Sequence, residues 1–98
     1  MLFRSSAHEV GWASVGRSQD TVRRAESVGL ADAGDLRELA RWSDVVVSVC
    51  PSAAVDVAGQ VARIRPDGLL YIDANSVAPE TVRRIAGMFS PGVAVDAA

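Results

Sequence analysis

The sequence predicts an α/β fold, a parallel sheet layered with helices, and three observations carry that prediction. Strand-type and helix-type segments alternate along the whole chain, the pattern of a sheet joined by right-handed helical crossovers. The run Val45-Val46-Val47-Ser48-Val49 is β-branched nearly throughout and lacks polar alternation, as in a strand covered on both faces. The helix-type segments begin and end on residues that start and stop helices.

Taken in order, residues Glu9 to Val15 form a first strand, closed by the turn Gly16-Arg17-Ser18. Ser18 can cap a helix from Gln19 to Val28, with Val22, Ala25 and Val28 on one face, and Gly29 stops it. After a weak apolar step at Leu30 and Ala31, Asp35 and Glu38 stand in capping-box spacing ahead of a short helix, Leu36 to Trp42. Val45 to Val49 is the strongest strand, closed by Cys50-Pro51-Ser52. The stretch Ala53 to Ile64 places Val57, Val61 and Ile64 at helical spacing. Pro66-Asp67-Gly68 turns into a second buried-type strand, Leu69 to Asp73. Pro79 suits the first turn of a helix carrying Val82, Ile85, Ala86 and Phe89, and Pro91-Gly92 turns into a last strand, Val93 to Val95.

Ninety-eight residues form one small domain spanning 1–98, too short to hold a cofactor domain together with a catalytic one. The net charge of −2 gives no basic field for nucleic acid. The single cysteine, Cys50, and the single histidine, His8, offer neither an internal disulfide nor metal-ligand spacing, so no metal is expected and a reducing, cytoplasmic setting fits. No apolar stretch is long enough to span a membrane, and no signal-peptide core follows Met1.

Ligands of such sheets bind beyond the carboxyl ends of the strands, which directs the search to the segments after Val15, Val49 and Asp73. At the first, Arg17 and Ser18 occupy a turn where dinucleotide-binding folds meet the adenosine ribose. An acidic residue there would bind the ribose hydroxyls and repel a 2′-phosphate, whereas Arg17 and Ser18 would receive one, which points to NADP. Ser18 equally serves as a plain helix cap, and Arg17 as a solvated charge. At the second, Cys50 and Pro51 can wall a cofactor; no base near Cys50 makes it a nucleophile. At the third, Asp73, Asn75 and Ser76 can hydrogen-bond a nicotinamide ribose or a substrate carboxylate, or form only turns and caps. The arginine pairs Arg23-Arg24 and Arg83-Arg84 read as solvated helix faces.

The order and spacing of these segments, from Gly16-Arg17-Ser18 through Asp44 to Pro51, Asp73 to Pro79 and Val93 to Ala97, resembles the cofactor domain of the 3-hydroxyacid dehydrogenase group. That group includes 6-phosphogluconate and 3-hydroxyisobutyrate dehydrogenases. The resemblance implies an incomplete Rossmann-type, doubly wound sheet in an NADP-dependent oxidoreductase whose intact form acts on a small hydroxyacid. It implies that Arg17 and Ser18 hold the 2′-phosphate, that Cys50 and Pro51 border the cofactor, and that Ser76 contacts it near the nicotinamide. Asn75 would stand near the substrate carboxylate or phosphate, and Asp96-Ala97 would begin the family's substrate segment. Gly16 stands where the family has Asn, and Asn75-Ser76 where it has Ser-Thr.

Two departures shape the functional expectation. No Gly-x-Gly-x-x-Gly occurs, so the loop that would receive the cofactor's diphosphate at a helix N-terminus is absent. No lysine occurs either, and the family's catalytic lysine belongs to a later region. Met1 to Ser6 reads as the tail of a missing first helix, so the chain is expected to be a fragment lacking the first strand, with no catalytic residue of its own and weak or lost NADP binding. The two strand edges flanking the missing strand would stand open, inviting the Glu9 to Val15 strand to pair with Val45 to Val49, or with another chain. The alternative expectation is a non-catalytic module that associates through those open edges.

Overall fold

A computed structural model describes the backbone of residues 2–6, together with residues 9–50 and 52–97. The elements run β1 (Leu2–Ser6), β2 (Glu9–Trp12), α1 (Gln19–Ser27), β3 (Ala31–Asp32), α2 (Leu36–Trp42), β4 (Val45–Ser48), α3 (Ala54–Ile64), β5 (Leu70–Asp73), α4 (Pro79–Ala86) and β6 (Ala94–Asp96). The architecture is α/β, as the alternation of segments predicts. All strands join one sheet in the order β3-β2-β1-β4-β5-β6.

The first strand overturns an expectation. Residues 2–6 are not a helical tail: they form β1 at the centre of the sheet, so the edges expected to stand open are paired. β1 lies antiparallel to β2, with Phe3 opposite Trp12 and Ser6 opposite Glu9, and antiparallel to β4, with Leu2 opposite Ser48 and Ser5 opposite Val45. The remaining pairs are parallel. The physical reason is the tight register at Ser6 and Glu9. A connection this short can return the chain only as a hairpin, since a parallel neighbour needs a crossover of a dozen residues or more. β2 and β4 therefore do not pair with each other, because β1 lies between them.

Helix boundaries follow the local chemistry read from the sequence. Ser18 caps α1 by accepting from the Thr21 amide at 3.2 Å, and Asp35 caps α2 by accepting from the Glu38 amide at 2.9 Å. α4 stops at Ala86, short of Phe89; Gly87 caps it, and Phe89 stacks on Tyr71 with ring centroids 4.8 Å apart. One tie escaped the sequence reading. The Arg65 guanidinium, at the end of α3, donates to the carbonyls of Ala40 at 3.1 Å and Ser43 at 2.7 Å, and to that of Gly68. It thereby satisfies backbone oxygens that the end of α2 leaves without intrahelical donors.

From β1 the chain order moves one way across the sheet through β4, β5 and β6, and the other way through β2 and β3. Right-handed crossovers then set α1 on the face opposite α3 and α4. The main core lies on the latter face, where Leu39, Ala40, Val46, Ala58, Val61, Tyr71 and Ile85 are buried together. The register Trp12, Phe3, Val47 carries Trp12 to the other face, where it is buried apart from that cluster. No helix among the described residues is long and apolar enough to cross a membrane.

Candidate functional site at the carboxyl edge of the sheet

The carboxyl ends of the parallel strands carry two polar constellations, one at the exits of β2 and β3 and one at the exits of β4 and β5. At β2, the chain leaves the sheet through Ala13 and Ser14 and turns at Gly16, whose φ of 82° needs glycine although a Cβ there would meet nothing within 4 Å. The amides of Ser14 and Val15 both donate to the Gly34 carbonyl, at 2.9 and 3.2 Å, and the Arg17 amide donates to the Ser14 carbonyl at 3.0 Å. From β3, one oxygen of Asp32 accepts from the Ser14 hydroxyl at 2.5 Å and from the Gly34 amide at 2.8 Å. The Ser14 hydroxyl, and after it the Gly34 amide, hold the Asp32 carboxyl below its ordinary value of 3.8.

Arg17 and Ser18 are both exposed. The Ser18 hydroxyl is engaged as the α1 cap and lies 3.0 Å from the Thr21 hydroxyl. Among the described residues the Arg17 guanidinium has neither a carboxylate nor a hydrogen-bond partner. Sequence reasoning found this turn but missed Asp32, because the strand that presents it is only two residues long and gives little periodic signal.

The second constellation is buried. Asn75, 3% exposed, accepts from the Cys50 amide at 2.7 Å through Oδ1 and donates to the Ser48 hydroxyl at 3.1 Å through Nδ2. Its own amide donates to Asp73 Oδ1 at 2.8 Å. The Ala74 amide donates to the Ser48 carbonyl at 3.0 Å, and the Ala97 amide to the Asp73 carbonyl at 2.9 Å. Asn75 thus fastens the exits of β4 and β5 together, leaving little of its side chain to reach a ligand. The Tyr71 hydroxyl is buried in this region without a well-formed hydrogen bond among the described residues. Burial pushes it up to about 12, against the counteracting influence of the neighbouring Ser48 hydroxyl and with the help of the Asp73 charge.

Cys50 is buried, with its amide bonded to Asn75; Pro51 lies outside the described residues, as does His8. Ser76 and Asp96 are exposed. Between the β4 and β5 exits opens a cleft of about 320 Å³, lined by Ser52, Ala53, Asp56, Val77 and Thr81. The helices flanking it, α3 and α4, start on Ala53 and Ala78 and have no side-chain cap, whereas α1 and α2 have one. The structure therefore gathers Cys50 and Asn75 at one exit and Arg17 and Ser18 at the other. No group of three or more metal-ligand side chains occurs among the described residues.

No protein-family model matches the chain. It is 35% identical over 71 residues to an uncharacterized 28.5 kDa protein in the 7S RNA 5′ region of Methanothermus fervidus, a match covering 71% of this chain and 28% of that protein. A crystal structure of a conserved hypothetical protein from Sinorhizobium meliloti 1021 superposes with a TM-score of 0.65 and 30% identity, over 84% of this chain and 27% of that one. The chain thus spans less than a third of the length of either relative.

Proposed function

We propose that the chain is an incomplete dinucleotide-binding unit of an NADP-dependent oxidoreductase of the 6-phosphogluconate or 3-hydroxyisobutyrate dehydrogenase type. It keeps the adenosine side of the cofactor site, lacks the diphosphate cradle, and has no catalysis of its own. The observation that carries this reading is the Gly16-Ser18 turn, held at the carboxyl end of β2 with an unengaged guanidinium at Arg17. The sheet order supports it, since doubly wound dinucleotide-binding sheets use the same order and bind at the point where the direction of progress reverses. That point is β1.

The direction of β1 supports the missing half of the site. A parallel first strand would deliver a loop and a helix N-terminus to the carboxyl edge, where backbone amides receive a diphosphate. The antiparallel β1 delivers its own first residues instead, with Leu2 beside Ser48. On this reading Cys50, Pro51 and Ser76 border the nicotinamide side of the cofactor. In the intact oxidoreductase Asp96 would face the hydroxyacid, and Asn75 would act by holding the strand exits rather than by touching substrate. The competing reading, a module that pairs through open strand edges, has less support. The interior edges are filled, and only the short strands β3 and β6 end the sheet.

Calorimetric titration with NADP, NAD and adenosine 2′,5′-bisphosphate tests the proposal. The bisphosphate should bind weakly, NADP no more than about threefold tighter, and NAD undetectably, because a diphosphate without a cradle adds little. A micromolar dissociation constant for NADP, far below that of the bisphosphate, would overturn it.

A further inference from the structure

The Arg17 turn has one backbone bond of its own, from the Arg17 amide to the Ser14 carbonyl. It is exposed, it passes through a positive-φ glycine, and the helix that follows fixes only its far end at Ser18. What holds its near end is the β3 exit. Asp32 Oδ1 takes the Ser14 hydroxyl and the Gly34 amide on a single oxygen, and the carbonyl of the same Gly34 takes the Ser14 and Val15 amides. The Arg17 amide then closes onto the Ser14 carbonyl. The chain of bonds thus runs from Asp32 through Ser14 to the backbone of Arg17.

We propose that Asp32 is a positioning residue that presets the Arg17 turn for an anionic nucleotide ligand, acting through Ser14 and Gly34 and not by touching the ligand. This rests on the nucleotide reading given above for its ligand, but not for its geometry. A turn ordered in advance spares the ligand the entropy of ordering it, which is how a group that makes no contact raises affinity. The acceptor oxygen performs the task, so an amide in its place should serve nearly as well.

The test uses the full chain, with adenosine 2′,5′-bisphosphate as probe and amide hydrogen exchange at Ser14, Val15 and Arg17 as a second readout. Asp32→Ala and Ser14→Ala should each speed exchange at these amides and weaken probe binding roughly three- to tenfold, the range expected when one hydrogen bond is lost. Asp32→Asn, which keeps an acceptor oxygen, should restore both to within about twofold of the unaltered chain. Unchanged exchange in Asp32→Ala would overturn the brace, as would a loosened turn that bound the probe as tightly as before. Failure of the unaltered chain to bind the probe would sink the nucleotide reading, and the exchange comparison would still decide the brace by itself.

Discussion

The exits of β2 and β3 and the exits of β4 and β5 are each fastened by one polar side chain whose oxygen accepts a hydrogen bond from the neighbouring strand end. At one exit the oxygen belongs to exposed Asp32, at the other to buried Asn75. The difference lies in what replaces the bond when it breaks. Water can serve Ser14 and Gly34, but no water reaches the Cys50 amide or the Ser48 hydroxyl without opening the core. The buried tie therefore belongs to stability, and the exposed tie to the order of a loop.

The largest effect should follow from breaking the buried tie. Asn75→Ala removes the buried acceptor of the Cys50 amide and the donor to the Ser48 hydroxyl together, and should cost about 2–3 kcal/mol in denaturant unfolding. A loss below about 0.5 kcal/mol, the ordinary range for surface substitutions, would show that the two exits do not differ as described. The single tyrosine offers a second measure of the same burial. Because the Tyr71 hydroxyl titrates near 12 in the folded chain against an ordinary 10.0, its contribution is whole below pH 10 and disappears as pH rises toward 12. Tyrosinate absorbance during alkaline titration should therefore appear late and together with unfolding.

Effects at the exposed exit should be smaller. Ser18→Ala removes the α1 cap and should cost about 1 kcal/mol. Asp32→Ala should cost less than that in global stability, despite loosening the turn. Its lowered carboxyl value means that its contribution is full above the ordinary 3.8 and fades only as pH falls through the lowered value. Carboxyl chemical shifts followed during acidification would read this directly. The smallest change in stability should come from Arg17→Gln, within about 0.5 kcal/mol, although it removes the charge expected to hold a phosphate. A thermal melt indistinguishable from the unaltered chain, combined with lost probe binding, would sharpen the contrast most.

Much of this was legible from the residues because the signals were local. Val45 to Val49 announces a buried strand, Ser18 and Asp35 announce caps, and the structure places each where local chemistry directs it. Cys50 and Asn75 stand after β4 and β5, where the pattern of strands puts them, but their mutual bond was not legible, since it joins positions far apart in the chain. Arg65 was missed for the same reason: nothing near it in sequence shows that the end of α2 lies within its reach. The β1 strand was missed because Leu2 to Ser6 lacks a run of β-branched residues. Its strand character comes from the partners on both sides, in which tertiary context overrides propensity.

The reversal of β1 also sets the order in which the sheet can assemble. Parallel neighbours such as β4 and β5 must wait for the helix between them, whereas β1 and β2, close neighbours in sequence, can pair directly, on a scale of about 1–10 μs for an isolated hairpin. A sheet of this kind acquires its middle early and its margins late. Substitutions in the hairpin should accordingly slow folding, and those in β6 should mainly hasten unfolding.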